Sequence, residues 1–511
     1  MQYYYDAIVI GSGFGGAVAA RRLVQAGKRI LILERGREYP PGGFPRALRD
    51  TKRVLWRGAR HKEYQGLFDF RVLSDMAVVC ASGVGGGSLV YANINVIPDA
   101  DVFEDSRWPE DITHSSLAPY YQKVAQELRV SPLPAELILS KHQRFQAAAQ
   151  SLGVPVFNPN QAVDWTQCVL CGECEFGCNH SAKNTLDRNY LKAAIEQGAE
   201  LRTRALVNFI EPTFGGYFVH FTDLADHDKK KQIKAGLVIL SAGTLGSNEI
   251  LFNCRDRYKT LPKISARLGR GFSANGDFMG SIQNCAEPLN PWHGPDVTAV
   301  MKISQGSSKF TLAAPTFNES TMRVLASMGQ ARGRMLRFLG PMLWNKLEQG
   351  LCASFERGLF SEPKRLPGVP PSDPERMTLL LAIGRDNANG VLSLGKNGID
   401  IQWDYRHENR ALILAMRSTM ERIASAYGGH FEPLFTWNMA ERITTVHPLG
   451  GCALSESADR GVVSPYGQVH GYPGLYVSDG SVVPTALGFH PAMTIAALAE
   501  RNVEAITKGL E

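Results

Sequence analysis

Short apolar runs, broken by glycines and ended by polar turns, mark three separated stretches of the 511-residue chain. Residues 6–10 (DAIVI) predict a short strand, AVAARRLVQAG a helix, and RILILE a second strand ending at Glu34. Residues 237–252 (LVILSAGTLGSNEILF) predict a buried strand running through Gly243 into another helix. Near the end, 475–506 reads as strand, acidic turn at Asp479, loop and amphipathic helix. The longest nearly apolar stretch, Ala7 to Ala20, is interrupted by glycines and too short to span a bilayer. The preceding MQYYYD carries an acid and no base, unlike a secretory signal, so a chain that begins in the cytoplasm is expected.

Composition narrows the class. With 44% hydrophobic, 20% charged and 9% aromatic residues, the chain is an ordinary globular protein and not a disordered, collagenous or disulfide-stapled one. Its length allows roughly three domain-sized units, or two large ones. The net charge, 55 − 49 = +6, is weak and forms no basic stripe, which argues against nucleic acid as a partner. Nine cysteines in a reducing compartment point to free thiols or metal ligands rather than disulfides.

The first strand opens into Gly11-Ser12-Gly13-Phe14-Gly15-Gly16, with Glu34 lying 23 residues beyond Gly11. Strand, G-x-G-x-x-G, helix, strand and acid in that order are the fingerprint of a dinucleotide site. Gly11 permits the tight turn, Gly13 lets the backbone approach a pyrophosphate, and Gly16 lets helix and strand pack closely. The helix N-terminus offers unpaired N–H groups to the phosphates, and Glu34 would accept both ribose hydroxyls of an adenosine. A second cluster, Gly83-Val84-Gly85-Gly86-Gly87-Ser88-Leu89-Val90-Tyr91-Ala92-Asn93, has no Walker lysine and is no P-loop. Its apolar flanks, including Leu89, Val90 and Ile94, argue for burial.

GSGFGG, GVGGGSL, SAGTLGSNEILF, HPLGGC and DGSVVPTALGFHPAMTI stand in one order along the chain, and together they resemble the glucose–methanol–choline oxidoreductases. Within that family the cholesterol-oxidase branch is the nearest match. The resemblance implies FAD, an α/β, doubly wound, Rossmann-like FAD-binding domain, and an α+β substrate domain on a large, mainly antiparallel sheet. The FAD-binding domain is expected from 1–40, 65–135, 185–270 and 465–511. The substrate domain takes 41–64, 136–184 and 271–464, including a cysteine loop at 168–178 and a lid insertion at 321–375. The implied FAD contacts begin with Gly11, Gly13, Phe14, Gly15, Gly16, Glu34 and Arg35. They continue with Gly83, Gly85, Gly86, Ser88, Tyr91, Ala92, Asn93 and Ile94, then Val207, Ala242 and Gly243. Asp479, Gly480, His490, Pro491 and Ala492 complete them.

Oxidising an alcohol removes a proton from oxygen and a hydride from carbon; a flavin accepts the hydride and the protein supplies the base. Histidine suits the task because it titrates near neutral pH. By the resemblance, His447 in TVHPLGGC matches the family's principal base, and His490 in GFHP a position that is His in many members and Asn in cholesterol oxidases. In both, the following proline disfavours helix, so each ring projects from extended backbone. A second departure concerns the glutamate with which cholesterol oxidases isomerise a double bond. Its position falls near Leu312 in TLAAPTF, with Glu319 the nearest acid, so alcohol oxidation without isomerisation is expected.

Cys168, Cys171, Cys174 and Cys178 give C-x2-C-x2-C-x3-C, the spacing of ferredoxin runs, with Asn179 where ferredoxins have proline. All four could hold a 4Fe–4S centre or zinc, although zinc more often uses two separated pairs. Cys168, Cys174 and Cys178 alone fit the three-iron (3Fe–4S) spacing of sugar dehydrogenases of the same family. Reduced structural thiols are the plain alternative. Residues 321–350 are basic and methionine-rich, with Met322, Met328, Met335 and Met342, and read as a lid helix or a peripheral membrane contact.

The expected protein is an FAD-dependent oxidoreductase of a hydrophobic, steroid-like secondary alcohol, using His447 and His490. Its electron acceptor is O2, a quinone or a protein, reached through an iron–sulfur cluster if one is bound. It is expected in the cytoplasm or at the inner membrane surface. A terpenoid or long-chain alcohol dehydrogenase is the enzyme alternative; a flavin and iron–sulfur electron carrier or redox sensor is the alternative from another class.

Overall fold

The computed structural model describes residues 4–46, 51–56, 64–328, 373–395 and 398–509. The N-terminal run becomes strand β1 (Tyr4–Ile10), helix α1 (Phe14–Gln25) and strand β2 (Ile30–Leu33). β1 pairs in parallel with β2 on one side and with Lys229–Leu240 on the other. Ile8, Val9, Ile32 and Leu33 are buried, as strands covered on both faces must be. Glu200–Arg202 extends the sheet beyond β2.

The strand Lys229–Leu240 changes partners along its length. Its polar first half pairs antiparallel with Gly216–Asp223, which pairs in turn with Ala205–Thr213. Its apolar end, Val238 to Leu240, lies between β1 and the parallel strand Leu475–Val477. The sequence switches from KKKQIK to GLVIL where the strand passes from the half-exposed meander into the buried parallel core. The C-terminal helix Ala492–Lys508 packs on α1, and Arg22 makes a two-pronged ion pair with the buried Glu500.

The second layer is a six-stranded sheet of neighbours that are all antiparallel. Its order is His430–Pro433, Phe278–Gln283, Thr378–Gly384, Ser308–Ala313, Val300–Gln305 and Val156–Phe157. The fold is thus the expected one, a doubly wound domain beside a large antiparallel sheet. The 65–135 stretch adds no strand to the parallel sheet. It contributes the second glycine loop and two strands, Phe68–Val72 and Ala77–Ala81, in a small sheet with Thr444–Thr445. Of the methionine-rich insertion, the helix Glu319–Met328 is described and Met322 is buried; the lid and membrane readings of its remainder fall outside the described residues. Among the described residues no helix is long and apolar enough to cross a membrane.

Candidate active site

The first glycine loop is crossed by backbone from two other segments. A Cβ on Gly11, at φ +94°, would lie 2.2 Å from the Ser241 carbonyl oxygen, and one on Gly15 would lie 1.6 Å from that of Ser478. Only glycine fits either place. A Cβ on Gly13 would meet nothing within 4 Å, so on that side the loop is open at the N-terminus of α1, as a pyrophosphate requires. Glu34 is buried at the end of β2 and already holds the loop together: Oε2 accepts from the Ser12 amide (3.1 Å) and hydroxyl (2.7 Å), and Oε1 from the Gly36 amide (2.8 Å). A carboxylate accepts about four bonds, so a ribose hydroxyl could still reach Oε1, but Glu34 is first a structural clamp. Arg35 pairs with Asp69 at 3.0 Å and stacks on Trp56. A cavity of about 450 Å³ lies nearby, lined by Arg37, Tyr39, Arg53, Thr203 and Arg204 among others.

Ser12 also joins the two glycine loops, accepting from the Gly85 amide at 3.1 Å. A Cβ on Gly86 would lie 2.7 Å from the Gly13 Cα, so these loops touch. Ser88 accepts from the Leu186 amide and donates to the Gly85 carbonyl, and Tyr91 sits edge-on to Phe14 at 5.5 Å. Ala92 and Ile94 are buried against Phe489, and Val207 lies buried in its strand. Asn93, fully buried at φ +65°, has no protein partner for either side-chain atom. The Ser478 and Thr485 hydroxyls and His490 Nε2 are likewise buried without partners. Such atoms rarely stay unpaired in a native interior. The polar edges and phosphates of FAD would supply what they lack, so the residues present fit the cofactor.

Asp479 lies at the end of the Leu475–Val477 strand, and all its capacity goes to its own chain. It accepts from the Gly243 amide, the Ser247 hydroxyl, and the amide and hydroxyl of Ser481. It therefore ties the helix that starts at Gly243, just after Ala242, to the turn at Gly480. Pro491 and Ala492 open the C-terminal helix directly after His490.

His447 and His490 come together with ring centroids 5.1 Å apart and planes nearly perpendicular. One loop, Ser273 to Asp277, which runs from the strand Arg270–Phe272 into Phe278–Gln283, holds both. Asp277, wholly buried, receives His447 Nδ1 at 2.9 Å, the Val446 amide at 2.8 Å, the His447 amide at 3.1 Å and the Thr445 hydroxyl at 2.9 Å. Asn275 Oδ1 accepts from the Leu487 and Gly488 amides, and its Nδ2 donates to the Phe489 carbonyl at 2.7 Å, fixing the His490 loop. Asp386 braces the hub by accepting from Ser273, Ala274 and Gly276; burial pushes its carboxyl up to about 6. Sequence reasoning singled out neither Asp277 nor Asn275. The signal was the polar S-A-N-G-D run immediately before an apolar strand.

The two rings differ chemically. A carboxylate on Nδ1 holds a proton there and leaves the His447 Nε2 lone pair free to act as a base. His490 is held well below the usual histidine range, by burial first and by His447 second, so it is neutral and can orient an alcohol but not carry charge. Leu312 lies in the core of its strand, and Glu319 is exposed and paired with Arg323, so neither puts an acid into this corner.

The cysteine loop sits on the segments around 294 and 316. Cys171 is exposed; Cys168, Cys174 and Cys178 are half-buried. Among the described residues no three of these sulfurs lie within 4.8 Å of one another, whereas tetrahedral zinc at about 2.3 Å would hold them about 3.8 Å apart. Lys183, buried, donates to the carbonyls of Cys174, Leu89 and Tyr91 and so links this loop to the second glycine loop. Beneath the loop, Lys141 donates to the carbonyls of Asp296 and Ala314 and to Thr316. Burial pushes both lysines down to about 8 and raises the carboxyls of Asp296 and its neighbour Glu175.

Similarity to known proteins agrees with this geometry. The two GMC oxidoreductase family models match residues 5–254 and 390–499. The chain is 30% identical to a cholesterol oxidase of Mycobacterium tuberculosis, covering 97% of this chain and 90% of that protein. It is 28% identical to a cholesterol oxidase of Acinetobacter baumannii, over 99% and 94%. An FAD-dependent oxidoreductase from Chaetomium thermophilum shares the fold with a TM-score of 0.65 at 16% identity, over 99% of both chains. The chain belongs to the GMC oxidoreductase family and is an FAD-dependent alcohol oxidoreductase.

Proposed function

We propose that this enzyme oxidises a hydrophobic, steroid-like secondary alcohol to its ketone, and that His447 and His490 act on the substrate. The single observation that carries the roles is the pair of rings 5.1 Å apart, one on a buried carboxylate and the other without a partner at Nε2. FAD, when bound, supplies the hydride acceptor. His447 takes the hydroxyl proton at Nε2, and Asp277 stabilises the imidazolium that results. His490 orients the alcohol oxygen while remaining neutral. The steroid class is supported by the similarity to two cholesterol oxidases along nearly the whole chain. Leu312 and the exposed Glu319 support a reaction that stops at the ketone.

For the electrons' exit to O2, a quinone or a protein, this reading keeps an iron–sulfur centre on Cys168, Cys174 and Cys178, with or without Cys171. The loop spacing supports it, as does Lys183, which ties Cys174 to Leu89 and Tyr91. The reaction is placed in the cytoplasm or at the inner membrane surface; for the membrane contact the support is the basic, methionine-rich sequence of 321–350 alone.

Anaerobic bleaching of the flavin by a panel of alcohols tests the substrate class. Hydroxysteroids should bleach it, and bleaching should be lost in His447→Asn. Bleaching by long-chain primary alcohols alone would favour the second reading, which rests on 23% identity to a long-chain-alcohol oxidase of Arabidopsis thaliana over 97% of this chain. Iron and acid-labile sulfide analysis of anaerobically purified protein tests the cluster.

A further inference from the structure

The cysteine loop carries a second set of donor atoms that shares only Cys171 with its four-cysteine spacing. The Cys171 sulfur, a Glu173 carboxylate oxygen and a His180 ring nitrogen all lie within 4.8 Å of one another. Cys171 and His180 are exposed and Glu173 is half-buried, so the group is reachable from solvent.

The backbone beneath these three side chains is anchored at both ends. Gly172, at φ +67°, packs so closely that a Cβ would lie 2.2 Å from the Trp292 carbonyl oxygen, and the Gly294 amide donates to the Leu170 carbonyl at 2.9 Å. Next to His180, Asn179 pairs with Phe44 through both side-chain atoms, accepting from its amide at 2.9 Å and donating to its carbonyl at 3.2 Å. Arg46 orients Glu173, donating Nε to Oε2 at 2.7 Å while its other nitrogens hold the carbonyls of Phe176 and Gly177. This leaves Glu173 Oε1 for another partner. A carboxylate positioned by an outer cation, on a backbone held on either side, is how ligands are arranged around bound ions.

We propose that Cys171, Glu173 and His180 bind one zinc-type divalent ion, with water in the fourth position. Thiolate, imidazole and carboxylate together suit a borderline ion such as zinc, whereas magnesium and calcium prefer oxygen ligands throughout. Bond lengths of about 2.0–2.3 Å place tetrahedral ligand atoms about 3.3–3.8 Å apart, so the side chains must close by about 1 Å, within the reach of exposed rotamers. Two anionic ligands neutralise the ion's charge. The ion would tie the two ends of the 171–180 turn together, and it leaves Cys168, Cys174 and Cys178 for other chemistry.

The test uses the full-length, flavin-loaded enzyme, reduced and freed of adventitious metal with a chelator, then titrated with Co2+ and afterwards Zn2+. One equivalent of Co2+ should give tetrahedral d–d bands to the red of the flavin absorption, displaced by Zn2+. Cys171→Ser and His180→Ala should abolish these bands, Arg46→Gln should weaken binding about tenfold, and Cys174→Ser should leave it unchanged. The flavin spectrum reports that each variant is folded. The proposal is overturned if flavin-loaded wild-type protein shows no stoichiometric Co2+ spectrum. Bands that survive His180→Ala and vanish in Cys174→Ser overturn it equally, because the ion then belongs to the four cysteines.

Discussion

Two buried polar clusters in this molecule use similar residues to opposite ends. Around His447 and His490, one carboxylate gathers four donors and faces one imidazole, while the other imidazole's Nε2 has no partner. Beneath the cysteine loop, Lys141 and Lys183 spend their protons on backbone carbonyls beside Asp296 and Glu175. The first arrangement leaves an imidazole nitrogen short of a partner; the second spends its lysine protons on the scaffold, and there a carboxylate oxygen, Asp296 Oδ2, is the atom left without one. Burial of charge therefore does not mark a reactive site in itself. What sets the histidine corner apart is two titratable rings brought together, one on a buried carboxylate and the other short of a partner.

Four experiments bear on this contrast. Asp277→Asn should slow flavin reduction by alcohol about 10²–10⁴-fold, because an amide neither holds the Nδ1 proton as well nor stabilises the imidazolium. Stopped-flow reduction within threefold of wild type would make Asp277 scaffold, like Asp296. Asn275→Ala should slow the same step about 10²-fold by releasing the loop that carries His490. A fall in melting temperature with an unchanged reduction rate would show that this loop positions nothing.

Lys141→Met should do the reverse. It removes the donor from two buried carbonyls, costing about 1–3 kcal/mol in urea unfolding, with flavin reduction changed less than threefold. The smallest effect is on pH dependence. Lys141 and Lys183 sit near 8 in the folded chain and near 10.5 when unfolded. Between those values the unfolded chain binds more protons, so stability should rise with pH from about 8 to about 10.5. The rise should shrink in Lys141→Met, and a slope unaltered by that change would place the proton elsewhere.

Much of the dinucleotide half was legible because its signals are local. Gly11, Gly13, Gly15 and Gly16 lie in one turn, and the strand apolarity around them follows from burial on both faces. The histidine loops were legible through the resemblance of TVHPLGGC and GFHP to the family's motifs. Asp277 and Asn275 could not, because they lie 170 and 214 residues from the partners they hold. Glu34 reads as a ribose ligand in sequence, yet its first partners are Ser12 and Gly36, which only the turn geometry reveals.

By itself, then, the sequence determined the order of strands and helices in its three apolar stretches, the glycine turns and the family, because each depends on residues close together in the chain. Tertiary structure decided which carboxylates serve an imidazole and which serve the scaffold. It also decided which histidine stays neutral, and that the donor atoms of Cys171, Glu173 and His180 meet within 4.8 Å. Those outcomes depend on desolvation and on hydrogen bonds between distant segments, and a linear spacing encodes neither.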